Sequence, residues 1–316
     1  MVSPFLIKKR RINIIYCNGT LAKIVGALMG AFSRRPVIWH VRNIQQTKAL
    51  GIIINVLSSL PVLKKIICVS HAAAKQFRLS TEKITVIHNG IDPEDFNPEK
   101  TFGVLRTEYG ISEGTIVVGS TGRIVPRKGY EYLIMSAQIV RNRLGEEISK
   151  VRFVVVGDTP HFFQNNHLEF LKGLVRKLSL EDIFIFTGYK KDVRPYLKDF
   201  DIFVIPSNYP DPFPRSVIEA MSFSLPVVGF RVGGIVEAVE HGVTGLLNEP
   251  GNTEEMGESI LRLIRDRSLR VSMGIAGREL VRRLFSAKDR AKEVEENILE
   301  VAQRFCRDMT WRVSTR

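Results

Sequence analysis

Residues 205–230 read IPSNYPDPFPRSVIEAMSFSLPVVGF. An apolar run, Asp201–Ile205, leads into a proline-rich turn, a helix ending near Ser224 and a second apolar run, Pro226–Phe230. The spacing predicts a β-α-β step with Asp211 in its loop and Glu219 on its helix. In open parallel sheets ligands bind beyond the carboxyl ends of the strands, so both acids stand where a ligand would sit. Glu219 interrupts the apolar pattern VIEAM, and a carboxylate there needs a partner because leaving it unpaired is costly. A ribose diol, a backbone amide or Arg215 would each satisfy it. Asp211, between Pro210 and Pro212, reads equally well as the acid of an Asx-turn. Arg215 and Ser216 open the helix, where uncapped amides suit a phosphate.

Upstream, a strand TIVVGS from Thr115 runs through Gly122-Arg123-Ile124-Val125-Pro126-Arg127-Lys128-Gly129 into a helix over 130–144. A strand at 151–156, a helix over about 163–178, a strand at 183–186 and a helix over 192–199 complete the approach to Asp201. Backbone amides and the positive end of a helix suit an anion at Gly122–Gly129, and Arg123 and Lys128 could clamp a diphosphate. A surface loop with two solvated cations is the competing reading. The stretch has the spacing of neither the P-loop nor the dinucleotide fingerprint, which excludes ATPase and NAD readings. Downstream, Gly233-Gly234 allows close approach of backbone to a ligand, or a tight turn. A helix, a strand (Thr244–Leu247), a helix from Thr253 and helices near 268–280 and 286–305 follow, the last expected to lie across an earlier domain.

The first ninety residues repeat the alternation. Strands are expected at 12–17, 37–41, 64–69 and 83–87, and helices at 20–32, 49–60 and from His71 to about Phe77, the last capped by Ser70. Asn89-Gly90 and the acidic stretch IDPEDFNPEK read as a linker. The fold class is therefore α/β with two Rossmann-like domains: 1–110, 111–285, and a tail helix over 286–316. His40, ending the strand VIWHV, is either a satisfied core histidine or a group facing a cleft. Ser70 and His71 have no orienting acid and no nucleophile elbow, so hydrolase chemistry is not expected.

At 316 residues the chain is long enough for two domains, and 44% hydrophobic with 25% charged residues is a globular composition. Cys17, Cys68 and Cys306 lack metal-ligand spacing and read as free thiols in a reducing compartment. The longest mainly apolar run, Ala49–Leu63, is too short and too interrupted to span a membrane. The start MVSPFLIKKRR has its basic cluster after its apolar residues, the reverse of a secretory signal, so a cytoplasmic location is expected. Residues 1–81 hold 13 Lys/Arg and no Asp or Glu, leaving 46 − 13 = 33 Lys/Arg against 33 Asp/Glu elsewhere. The whole net charge of +13 sits in the first quarter. Such a lobe attracts nucleic acid or an anionic membrane surface. Without helix-turn-helix, zinc-finger or RNA-binding-sheet signatures, the membrane, on its inner face, is the preferred partner.

The blocks KITVIHNGID, GRIVPRKGYEYLI, VVVGD, PSNYPDPFPRSVIEAMSFSLPVV and VGGIVEAVEHGVTGLLNEPGN, in this order, resemble the retaining glycosyltransferases of family 4, over nearly the whole chain from residue 12. The resemblance implies a GT-B fold with a nucleotide-sugar donor held mainly by the second domain. It implies that Arg123 and Lys128 bind the diphosphate and stabilise the leaving group without a metal or any other cofactor. Glu219 would bond the ribose hydroxyls and Asp211 the donor sugar, with Gly122, Phe213, Arg215 and Ser216 as further donor contacts. His40 would stand near the sugar and the scissile bond. Asp211 and Pro214 replace the family's usual glutamate and glycine and are expected to alter the donor preference. The first domain is expected to be incomplete at its N-terminus. The function implied is transfer of a hexose-type sugar from a nucleotide donor to a glycan or lipid-linked acceptor. The alternatives are a truncated GT-B protein that binds nucleotide or a partner without turnover, and a basic nucleic-acid binder.

Overall fold

The computed structural model describes residues 7, 9–10, 12–160 and 166–314, with side chains to residue 307. The chain divides into two units, residues 1–90 with 287–316, and residues 91–286. In the first, strands β1 (Ile15–Asn18), β2 (Val37–Val41), β3 (Leu63–Cys68) and β4 (Ile84–Val86) lie parallel and in sequence order. They are joined by α1 (Thr20–Ser33), α2 (Lys48–Ser58) and the single turn α3 (His71–Ala74). Ser70 caps α3 as its sequence predicts, its Oγ accepting from the Ala73 N–H at 2.9 Å. Alternate residues of β2 serve opposite faces, as the strand period requires. Val37 meets Gly30 of α1, where any Cβ would overlap the valine, while Ile38 faces the other way.

The second unit contains α4 (Leu105–Tyr109), β5 (Ile116–Thr121), α5 (Tyr130–Leu144), β6 (Val151–Val156), α6 (His167–Lys177) and β7 (Phe184–Phe186). These are followed by α7 (Arg194–Leu197), β8 (Ile202–Ile205), α8 (Arg215–Ser222), β9 (Val227–Phe230), α9 (Ile235–Ala238) and β10 (Gly245–Asn248). The unit closes with α10 (Thr253–Arg265) and α11 (Arg267–Leu284). The part of the predicted helix over 163–165 lies outside the described residues. The six strands are parallel in the order β10-β9-β8-β5-β6-β7. The chain winds outward from β5 through β6 to β7, then crosses back to build β8, β9 and β10 on the other side. The sheet therefore has its switch point between β5 and β8, the position where open α/β sheets form a ligand crevice. Strand residues Val118, Phe153, Val155, Ile202 and Val204 pack with Leu133, Ile134 and Ala137 of α5 and Met256 and Ile260 of α10 to form the core. Asn166, Asn252 and Asp266 cap α6, α10 and α11 through their side chains, each worth about 1 kcal/mol.

Residues 91–110, placed in the first domain by the sequence reading, belong to the second unit. Their contacts explain this. The Ser222 hydroxyl donates to the Phe96 carbonyl at 2.8 Å, Phe96 sits edge-on to Phe223, and the Arg106 guanidinium bridges to Asp201 at 3.3 Å. Asp201 in turn accepts from the Val117 N–H of β5. The final helix, α12 (Ala287–Ser314), groups with the first unit, its Val294, Ile298 and Val301 packing on Ile38, Ile67 and Ile87. Among the described residues no helix is long and apolar enough to cross a membrane.

Candidate functional site

The loops following β5 and β8 stand on the two sides of the switch point, and they carry most of the candidate residues. Gly122 follows β5 directly with its N–H donating to the Val156 carbonyl at 3.0 Å, so that amide is committed to β6 and the glycine's contribution is the turn itself. Arg123 follows and is exposed. Pro126–Lys128 form a 3-10 turn closed by Gly129, whose φ of 68° lies in the left-handed region. A side chain at Gly129 would overlap the Pro206 carbonyl, so this glycine lets the two loops touch. That approach brings Lys128 Nζ to 2.7 Å from Asp211 Oδ2, with side chains only 17% and 19% exposed. Two residues separated by 83 positions, each singled out in the sequence for a different reason, are thus one ion pair across the switch point.

The Gly233-Gly234 pair is explained by this same loop. The Gly234 N–H donates to the Asp211 carbonyl at 2.7 Å, and a Cβ at either glycine would overlap backbone of residues 210–213. The sequence offers this pair for approach to a ligand or for a tight turn; the close approach in the structure is to the protein's own Asp211 loop. Phe213 turns away from it into the core, 3% exposed and edge-on to Phe285. Pro214 occupies the N-cap position of α8, and no side chain caps that helix. Arg215 and Ser216 begin it at the rim. One turn on, Glu219 is bridged by Arg215 at 3.2 Å while its own side chain is 15% exposed. Burial raises the Glu219 pKa above the ordinary carboxylate value and outweighs the opposing pull of Arg215. The site thus offers two paired cations, Lys128 and Arg215, the exposed Arg123, an uncapped helix start and a carboxylate that lacks full solvation.

Sequence reasoning missed Ser207 and Asn208. Asn208 donates to the Tyr132 hydroxyl at 3.0 Å, while Ser207 Oγ is buried with no hydrogen-bond partner beside Pro206, the residue that touches Gly129. The available signal was the placement of two polar residues directly beyond the end of an apolar strand.

His40 lies in the first unit, at the C-terminal half of β2. The Tyr16 hydroxyl bonds its Nδ1. Burial, aided by the Arg42 charge, pushes the imidazole down to about 4, and burial raises the Tyr16 phenol. The phenol is therefore the donor, the ring is neutral at pH 7, and its proton is on Nε2. Lys23, which the sequence reading passed over, is fully buried in α1. Its ammonium reaches Asn43 Oδ1 at 3.4 Å, and desolvation lowers its pKa to about 8. The nearby thiols of Cys17 and Cys68 are buried, free, and pushed up to about 11 and about 12.

Two parallel-sheet α/β units, one with charged groups gathered at its switch point, are the build of the GT-B glycosyltransferases. The chain belongs to the family of glycosyl transferases group 1, whose model matches residues 103–280, and residues 3–95 match the model of Glycosyltransferase Family 4. The Anabaena protein HepE, solved in complex with UDP, superposes with a TM-score of 0.82 at 25% identity, over 93% of this chain and 82% of that one. The UDP-Gal:alpha-D-GlcNAc-diphosphoundecaprenol alpha-1,3-galactosyltransferase of Escherichia coli is 25% identical, over 90% of this chain and 76% of its own length. Mannosylfructose-phosphate synthase of Agrobacterium fabrum is 29% identical, over 67% of this chain and 46% of its own length. The chain is thus similar to glycosyltransferases along most of its length, and aligns with about half of several relatives.

Proposed function

We propose that the chain is a retaining glycosyltransferase that moves a sugar from a nucleotide-sugar donor to a glycan or lipid-linked acceptor, using side-chain cations rather than a metal at the leaving group. The observation that carries this reading is the Lys128–Asp211 pair at the switch point of the second sheet. The HepE complexes with UDP and with UDP-glucose, and the diphosphoundecaprenol in the name of the Escherichia coli relative, support the donor and acceptor classes.

In this reading the donor diphosphate lies at the loop after β5, with Arg123 and Lys128 as its cations and the start of α8 beside it. Positive charge fixed in place before reaction stabilises the oxyanion that develops on the leaving diphosphate. Asp211 holds Lys128 in place before the donor binds and accepts from sugar hydroxyls once the diphosphate shares the ammonium. Glu219 accepts from the ribose diol, which supplies the hydrogen bonds its buried carboxylate lacks. Neutral His40, in the first unit, keeps an Nε2–H available to donate to a sugar hydroxyl. The bond from the anomeric carbon to the diphosphate oxygen breaks with its electron pair going to that oxygen. The acceptor hydroxyl attacks on the same face, and its proton passes to the departing diphosphate.

The test is to incubate the protein with UDP-, GDP- and ADP-sugars and a polyprenyl-diphosphate-linked sugar, following nucleotide release and the anomeric proton of the product. Acceptor-dependent release with retained configuration is expected. No release with any donor, or an inverted product, refutes the reading.

A further inference from the structure

The outer surface of the first unit is inverted relative to an ordinary soluble sheet-covering helix. In α1 the only ionisable residue is Lys23, and it is the one turned fully inward. The residues that face away from the sheet are Leu21, Val25, Leu28 and Phe32, at the i, i+4, i+7, i+11 positions of a single stripe. Leu21 and Phe32 are 73% and 74% exposed. Next to it, packed against α1, helix α2 repeats the arrangement: Ile54 is buried while Ile52, Ile53 and Val56 are exposed. α1 buries Gly26, Ala27, Gly30 and Ser33 beside Lys23, and α2 buries only Ile54 and Ser58, so most of the large apolar side chains of the two helices are spent on the outside. Scattered exposed leucines are normal on a protein surface, but two neighbouring helices with wholly apolar outward stripes are not.

Charge decides what covers this face. Residues 1–81 contain no acid, and exposed Arg34 and Lys48 mark the end of α1 and the start of α2. Arg78 is exposed beside exposed Leu79, and the backbone of both is tied to Asn55 of α2. A second copy of the same face would set uncompensated positive charge against itself. A strand extending the sheet would add at the edge of β1, whereas these stripes point away from the sheet plane. An anionic bilayer surface matches both properties together, taking the apolar side chains into its acyl boundary and the rim cations at its headgroups.

We propose that the outward face of α1 and α2 docks on an anionic lipid surface, with Leu21, Phe32, Ile52 and Val56 as the inserted residues. This concerns a different surface from the donor site, and its test needs no sugar nucleotide, so the two proposals fail separately.

The test is co-sedimentation of the full chain with vesicles of phosphatidylcholine alone and with about one third phosphatidylglycerol. Binding to the anionic vesicles only, lowered at least tenfold in Leu21→Ser/Phe32→Ser and in Ile52→Ser/Val56→Ser, is the expected result. Circular dichroism melts matching the unmodified chain establish that both variants are folded. If either fails to fold, quenching of a fluorophore on the single variant Phe32→Cys by brominated lipid replaces it, quenching being expected. Three results overturn the proposal: no binding to anionic vesicles, undiminished binding by the folded double variants, or a self-associated state in sedimentation equilibrium that the same variants abolish.

Discussion

The two units treat charge in opposite ways. In the second, acids and bases balance, and those that matter to the site are held at the carboxyl ends of strands in defined pairs, Lys128 with Asp211 and Arg215 with Glu219. In the first, a lobe with no acid before residue 82 buries the one lysine of α1, Lys23, and turns apolar side chains outward. The difference teaches that the same βα alternation can serve two tasks. One sheet pairs its charges at a switch point, and the other is covered by helices that turn apolar side chains outward.

The sharpest way to break that comparison is to remove the cation that the second unit prepares. Lys128→Ala should lower kcat about 10²–10³-fold, the loss typical of one oxyanion-stabilising donor, measured as nucleotide release at saturating donor. A near-normal rate would mean that the pair with Asp211 is structural. Gly234→Ala tests the platform instead of the charge. A methyl there overlaps the Pro212 carbonyl and must push the Asp211 loop aside. The expected cost is about 2–3 kcal/mol in urea unfolding, together with loss of donor binding, as for other overpacked sites.

How much of this was legible beforehand follows from which forces act locally. The strands VIWHV, VRFVVV and the 201–205 run show in the sequence because β-branched and apolar side chains form unbroken runs in a buried parallel sheet, and the structure places them within a residue or two of expectation. The candidate donor residues showed because they follow strand ends. Their pairing did not, since Lys128 meets Asp211 only through the crossing from β7 to β8, and no spacing within one segment encodes a sheet's switch point. The domain boundary was misplaced because the contacts that fix residues 91–110, Phe96 with Phe223 and Arg106 with Asp201, are long-range and leave no local pattern. Lys23 was missed for a related reason. A single lysine in a helix reads as solvated unless one asks which side of the helix its neighbours can cover.

That lysine supplies the next test, on the first unit. An ammonium whose folded pKa falls from 10.5 to about 8 makes folding costly wherever the unfolded chain keeps it protonated. The cost is full below pH 8 and disappears as pH rises through 10.5, because there both states are neutral. Lys23→Met should therefore stabilise the protein at pH 7 by about 1–3 kcal/mol. The gain over the unmodified chain should shrink between pH 8 and 10.5 in thermal melts. A loss of stability at pH 7 would show that Asn43 and the surrounding amides compensate the charge more fully than one contact at 3.4 Å implies.

The smallest effect separates function from structure at Glu219. Its folded pKa is raised, so the contribution it makes is present below the unfolded value of 4.5 and is lost as pH rises through the folded value, where a largely buried carboxylate must ionise with only Arg215 beside it. Glu219→Gln removes the ionisation while keeping the shape and one acceptor. Its melting temperature should exceed that of the unmodified chain at pH 7 by the equivalent of about 1 kcal/mol, with the gap closing below pH 4.5. If the carboxylate accepts from a ribose diol, the same substitution should raise the donor KM about tenfold, because hydrogen bonds to a charged acceptor are worth more than those to an amide. A residue kept only for packing would gain stability and leave KM alone. Stability and donor affinity moving in opposite directions is what identifies a carboxylate held ionised, at some cost to the fold, for a ligand that completes its hydrogen bonds.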